Sequence, residues 1–71
     1  MTLSEALTAE RERQGKSIHE LAKAAGVSPS RAHGTFTGST PNPTFGTVVK
    51  LLDALGKSLA WLEREMKNPS E

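Results

Sequence analysis

The side chains in this sequence that could do chemistry are cations and hydroxyls, and most of them fall in its middle. Lys16 and Ser17 stand side by side, Ser28, Ser30, Arg31 and His33 follow, and Thr37, Ser39 and Thr40 close the series. Groups of this kind suit phosphate oxygens and base edges. Hydroxyls and cations donate to phosphate, and the arginine fork matches the acceptors of guanine. Catalysis has far less to work with. His19 and His33 are the only histidines, and cysteine is absent. No metal-protease spacing and no glycine-rich phosphate loop after a strand appears. No serine stands with a visible base to activate it. The expectation is a binding protein without metal or cofactor, and not an enzyme.

A net charge of +1 says little about a partner, but its distribution says more. Residues 13–50 hold Arg13, Lys16, Lys23, Arg31 and Lys50 against Glu20 alone, a net of +4, while residues 1–12 sum to −2 and residues 51–71 to −1. A basic middle between acidic ends is the asymmetry expected of a chain whose middle faces phosphate. Chance clustering on a solvated face is the plain alternative.

The elements that must position these groups are well punctuated. Thr2 and Glu5 form a capping box that opens a first helix through about Gln14, with Leu3, Ala6, Leu7 and Glu10 on one face and Gly15 as its stop. Ser17 and Glu20 form a second box, Ile18, Leu21, Ala22 and Ala25 make the stripe, and Gly26 ends the helix. Ser28-Pro29, a cap followed by proline, starts a third helix that runs to about Phe36, with Gly34 weakening its interior by about 1 kcal/mol. Gly38 to Pro43 reads as a loop. Thr44 caps a fourth helix carrying Phe45, Val48, Val49, Leu52 and Leu55, and Gly56 ends it. Ser58 caps a last helix with Leu59, Leu62 and Met66 on one face. The expected fold is all-α, with five helices in a single domain over residues 1–66 and a short tail over residues 67–71. Leu21, Ala22, Val27, Phe45, Val48, Val49, Leu52 and Leu55 are its expected core.

A chain of this size buries only about 60% of its unfolded surface, so its stability margin is thin. Without cysteine there is no disulfide to help, and self-association is the expected supplement. Trp61, together with Leu59, Leu62 and Met66, is the candidate dimer surface, because aromatic residues are enriched where interfaces are strongest. The competing reading is that Trp61 closes the core. No apolar run approaches the roughly 20 residues that cross a membrane. Met1 to Glu5 lacks the basic start of a signal peptide, so a cytoplasmic location is expected.

The tight turn Ala25-Gly26-Val27-Ser28 joins the second and third helices. Two short helices crossing steeply at such a turn make a helix-turn-helix, whose second helix fits the major groove, about 12 Å wide. On that geometry Ser28, Ser30 and Arg31 point into the groove, with His33, Gly34 and Thr37 further along the same helix. Lys16 and Ser17 meet phosphate at the N-terminus of the second helix, and Ser39 and Thr40 brace the backbone from the loop.

Glu20-Leu21-Ala22, Gly26-Val27-Ser28, Gly38, Pro43-Thr44-Phe45 and Leu51-Leu52-Asp53-Ala54-Leu55-Gly56, in this order, resemble the lambda-repressor-like (Cro/XRE) helix-turn-helix domain. The similarity spans about residues 5–62 and is almost free of gaps. It implies a compact five-helix fold, symmetric dimers on palindromic double-stranded operators, and usually repression of transcription. Phe36-Thr37-Gly38 and Asn42-Pro43-Thr44-Phe45 are closest to small antitoxin regulators of that family.

Two departures stand out. Members commonly carry glutamine where this chain has Ile18, and many carry a glutamate, paired with an arginine of the first helix, where it has Phe36. Arg11 is present, so its guanidinium is expected to stack on Phe36. The third helix is also short of readers, with Arg31 its only cation and no Asn or Gln. Specificity is then expected to lean on Arg31 and on DNA shape. These gaps leave a second function open: an antitoxin or interaction module that grips a toxin and binds DNA secondarily.

Overall fold

The computed structural model describes residues 2–40 and 43–67. Over them the chain forms α1 (Leu3–Gln14), α2 (Ile18–Ala25), α3 (Pro29–Thr37), α4 (Phe45–Leu55) and α5 (Leu59–Lys67). Among the described residues there is no strand. Lys67 closes α5 rather than opening a tail, and residues 68–71 of the expected tail lie outside the described residues, as do Pro41 and Asn42 of the loop.

Each helix begins on the hydroxyl nominated by the sequence. Thr2 Oγ1 accepts from the Glu5 amide at 3.2 Å while the Glu5 carboxylate accepts from the Thr2 amide at 2.8 Å. Ser17 and Glu20 repeat this exchange at 3.0 and 2.9 Å. Ser28, Thr44 and Ser58 accept from the amides of Arg31, Thr47 and Trp61. Each such cap satisfies an amide that the helix itself cannot, and is worth about 1 kcal/mol. The first four helices end on Gly15, Gly26, Gly38 and Gly56, with φ between 69° and 81°. That left-handed backbone costs any residue with a Cβ, so glycine sets where each helix stops.

Packing divides the labour. α4 lies against α2 and also touches α1 and α3, and it buries Val48, Leu51, Leu52 and Leu55. α1 adds Ala6 and Leu7, α2 adds Leu21 and Ala22, and α3 adds Ala32 and Phe36. α5 packs on α1 and buries only Leu62. Phe45 does not join the core as its spacing suggests: it is 67% exposed. It is the first residue of α4, and helix side chains lean toward the N-terminus, so its ring projects past the end of the layer that α4 packs on. Val27 and Val49 are only partly buried.

The candidate dimer surface on α5 also divides. Leu62 is 3% exposed and faces the chain's own core, so it is withdrawn from any interface. Leu59 and Met66 are exposed. Trp61 is half-buried against the core, with the Lys57 ammonium 5.4 Å from its ring centroid.

Glu10 occupies the apolar stripe of α1 and is buried, but it is not left alone. Its carboxylate accepts from Arg13 and from Gln14 at 2.7 Å, with Lys57 Nζ at 3.8 Å. Gln14 also donates to the Leu55 carbonyl at 2.9 Å, so this polar seam pins α1 to the end of α4. The Arg13 hydrogen bond holds the Glu10 carboxyl below the ordinary carboxylate range; burial opposes it, while Gln14 and Lys57 add to it.

Candidate nucleic-acid interface

The turn Gly26-Val27-Ser28 sets α3 across α2, and the two helices pack directly on each other. α3 then buries one side and offers the other. Ala32, Thr35 and Phe36 face inward, whereas Ser28, Pro29, Ser30, Arg31 and His33 are exposed. These five residues form the N-terminal tip, where the free amides and helix dipole favour an anion. α3 carries no acidic residue, and Arg31 is its single cation. The Ser28 hydroxyl accepts from the Arg31 amide at 3.3 Å, which leaves its proton free to donate outward.

The N-terminus of α2 supplies a second group. Lys16 and Ser17 are both exposed. Ser17 accepts from Glu20 in the capping box and likewise keeps its hydroxyl proton. Glu20 brings a negative charge to the same helix end. Its carboxyl is lowered chiefly by the hydrogen bond from the Ser17 amide, so it stays folded back on its own helix.

The C-terminal half of α3 differs from the sequence reading. Gly34 is buried and is not available to DNA. A Cβ there would overlap the Thr40 hydroxyl, and the Gly34 carbonyl accepts from the amides of Gly38 at 3.0 Å and Thr40 at 3.2 Å. The glycine that weakens the helix therefore makes room for the loop, which lies flush on it. Thr40 is correspondingly half-buried in this seat.

Thr37 and Ser39 are exposed, but their hydroxyls are engaged. Thr37 Oγ1 donates to the His33 carbonyl at 2.8 Å, so the Ser39 hydroxyl 3.1 Å away must be the donor of that pair. In this arrangement both oxygens retain only accepting capacity, so they would meet phosphate only by exchanging these local hydrogen bonds. Of the ten candidates, Lys16, Ser17, Ser28, Ser30, Arg31 and His33 remain as free surface groups.

Supports invisible to local spacing hold the foot of α3. Thr8 Oγ1 donates to the Phe36 carbonyl at 2.7 Å across 28 positions of sequence. The expected Arg11 stack is present, with the guanidinium carbon 5.7 Å from the Phe36 ring centroid. α4 has its own capped N-terminus, where Thr44, Phe45 and Gly46 are all exposed. Pro43 and Thr44 mark this helix end in the sequence, whereas the helical spacing alone places Phe45 in the core.

A family model described as helix-turn-helix matches residues 7–62, from the middle of α1 into α5. Searches of curated proteins and of solved structures give no significant match.

Proposed function

The chain belongs to the lambda-repressor-like, Cro-type helix-turn-helix family, whose members are DNA-binding regulators, and on that premise we propose a dimeric repressor of a short palindromic operator. The observation that carries this reading is the tip of α3, where Ser28, Ser30, Arg31 and His33 stand exposed with no acidic neighbour on their helix. Each subunit inserts this tip into the major groove, with Arg31 on guanine and half-sites about one helical turn apart. Lys16 and Ser17 hold phosphate beside it. Leu59, Met66 and the open side of Trp61 provide the contact between subunits, and sedimentation across micromolar concentrations tests that pairing. The direct test of DNA binding is a gel-shift titration against the gene's own upstream region at two salt concentrations. Salt-sensitive, sequence-selective binding is expected. Binding that ignores sequence overturns the regulatory reading.

Phe45 favours a second reading. A large aromatic side chain 67% exposed at the start of α4 is the type of residue that anchors contacts with another protein. Under that reading the chain is an antitoxin that grips a toxin encoded beside it, and DNA binding is secondary. Co-purification with the product of an adjacent reading frame, abolished by Phe45→Ser, would favour it over the first.

A further inference from the structure

Arg11 touches more of the DNA-facing apparatus than any contact assigned to it so far requires. It lies near the end of α1 and donates from Nη1 to the Lys16 carbonyl at 2.9 Å, across the turn that leads into α2. Its guanidinium carbon lies over the Phe36 ring, in the last turn of α3, 5.7 Å from the centroid. Nη2 comes within 4.0 Å of the Glu12 carboxylate, while Nε is buried without a hydrogen-bond partner. Leaving that N–H unsatisfied is costly, so the side chain is not in this pose for its own solvation. The same α1–α3 groove is lined by Ile18 and Thr37, the first residue of α2 and the last of α3. One side chain thus joins the turn on which Lys16 and Ser17 are mounted to the foot of the helix whose far tip carries Ser28, Ser30 and Arg31.

We propose that Arg11 is a positioning residue for DNA binding, a clamp that fixes the Lys16–Ser17 turn relative to the foot of α3. This inference rests on the DNA-binding reading above. The guanidinium serves as a brace because its several N–H groups point in fixed directions, so it can hold its charge over a ring while one N–H is directed at a carbonyl to one side. Lysine keeps the charge but is a point donor on a flexible stem and cannot do both. Thr8 alone does not replace it, since its bond reaches Phe36 and not the Lys16 turn.

The test is a double-mutant cycle in the full chain with Arg11→Lys, Lys16→Ala and the pair. The probe is a labelled mixed-sequence duplex of about 20 base pairs, two helical turns. Arg11→Lys is expected to weaken binding roughly tenfold with charge unchanged. Lys16→Ala should then cost little more in the Arg11→Lys background than the first change alone, because both act through one turn. Additive effects, or an Arg11→Lys protein that binds as the parent does, overturn the proposal; the latter result would make Arg11 a plain phosphate contact. Thermal melts confirm that the variants are folded at the assay temperature. Amide shifts of the free protein give a readout that needs no DNA: Arg11→Lys should move residues 15–18 and 36–38 together. Movement at only one of the two overturns the clamp. Failure of the parent chain to bind any duplex would count against the DNA reading instead.

Discussion

α3 and α4 are neighbours of similar length that solve opposite problems. α4 buries Val48, Leu51, Leu52 and Leu55, and Leu51 is fully enclosed. At about 25 cal/mol per Å² of apolar surface, side chains of this size give the domain much of its cohesion. α3 buries one large side chain, Phe36, at its C-terminal end, and otherwise Ala32, Thr35 and the bare backbone of Gly34. Its exposed tip has little apolar burial to hold it. Besides its packing on α2 and α1, α3 is held by a set of directional contacts at its foot: Thr8 on the Phe36 carbonyl, Thr40 on the Gly34 carbonyl, and Arg11 over the Phe36 ring. A helix that must present half its perimeter to a partner cannot also be a structural pillar. Polar struts at one end let it be rigid without being enclosed.

The difference can be broken most severely through α4. Leu51→Ala is expected to cost about 3–5 kcal/mol in chemical denaturation, a large part of what a small domain possesses. Ala32→Gly, at an equally enclosed site on α3, should cost about 2 kcal/mol, from helix propensity and one buried methyl. Equal losses would mean that α3 supports the core as much as α4 does.

Gly34→Ala sharpens the account of the struts. Alanine gains about 1 kcal/mol of helix propensity, but its Cβ would overlap Thr40, whose β-carbon would also lie only 3.2 Å away. Overpacking of this kind costs about 1–3 kcal/mol, so the net effect should be a loss of about 1 kcal/mol. Adding Thr40→Ala removes the overlapping hydroxyl and should recover part of that loss. A more stable single variant would show that the loop is not seated on the helix.

The smallest effect expected is in acid. The folded Glu10 carboxyl is lowered from an ordinary value of 4.5, so its contribution is complete above that pH and is lost as pH falls through the lower folded value. Glu5 and Glu20 are lowered by their capping boxes and behave in the same direction. Melting temperatures between about pH 6 and pH 3 should therefore fall less steeply for Glu10→Gln than for the parent chain. Identical slopes would remove Glu10 from the seam between α1 and α4.

Helix ends were legible because their causes are local. A hydroxyl three residues before the amide it caps, and a glycine at the stop, are complete signals within one turn of chain. Burial was less legible because it depends on what lies opposite. Phe45 shares the helical spacing of Val48 and Leu52, but nothing in that spacing says that the first residue of α4 overhangs its support. Leu62 and Leu59 share a stripe, yet only Leu62 faces the core. Gly34 reads as a weakness until Thr40 is seen on top of it, and Thr8 reaches Phe36 through a fold that no local pattern encodes. The tip of α3 was legible as chemistry, since Ser28, Ser30 and Arg31 are types that meet nucleic acid and lie where a cap exposes them.

The claim that this tip reads DNA is tested most directly by selecting duplexes from a random library and titrating the best one, beside a mixed-sequence duplex, with the parent chain and with Arg31→Ala. The account predicts an enriched motif containing guanine and tight binding of the selected duplex by the parent. Arg31→Ala should lose about 1–3 kcal/mol on that duplex and much less on the mixed one, with preference relaxed at one base pair. No enrichment, or equal losses on both duplexes, would contradict it.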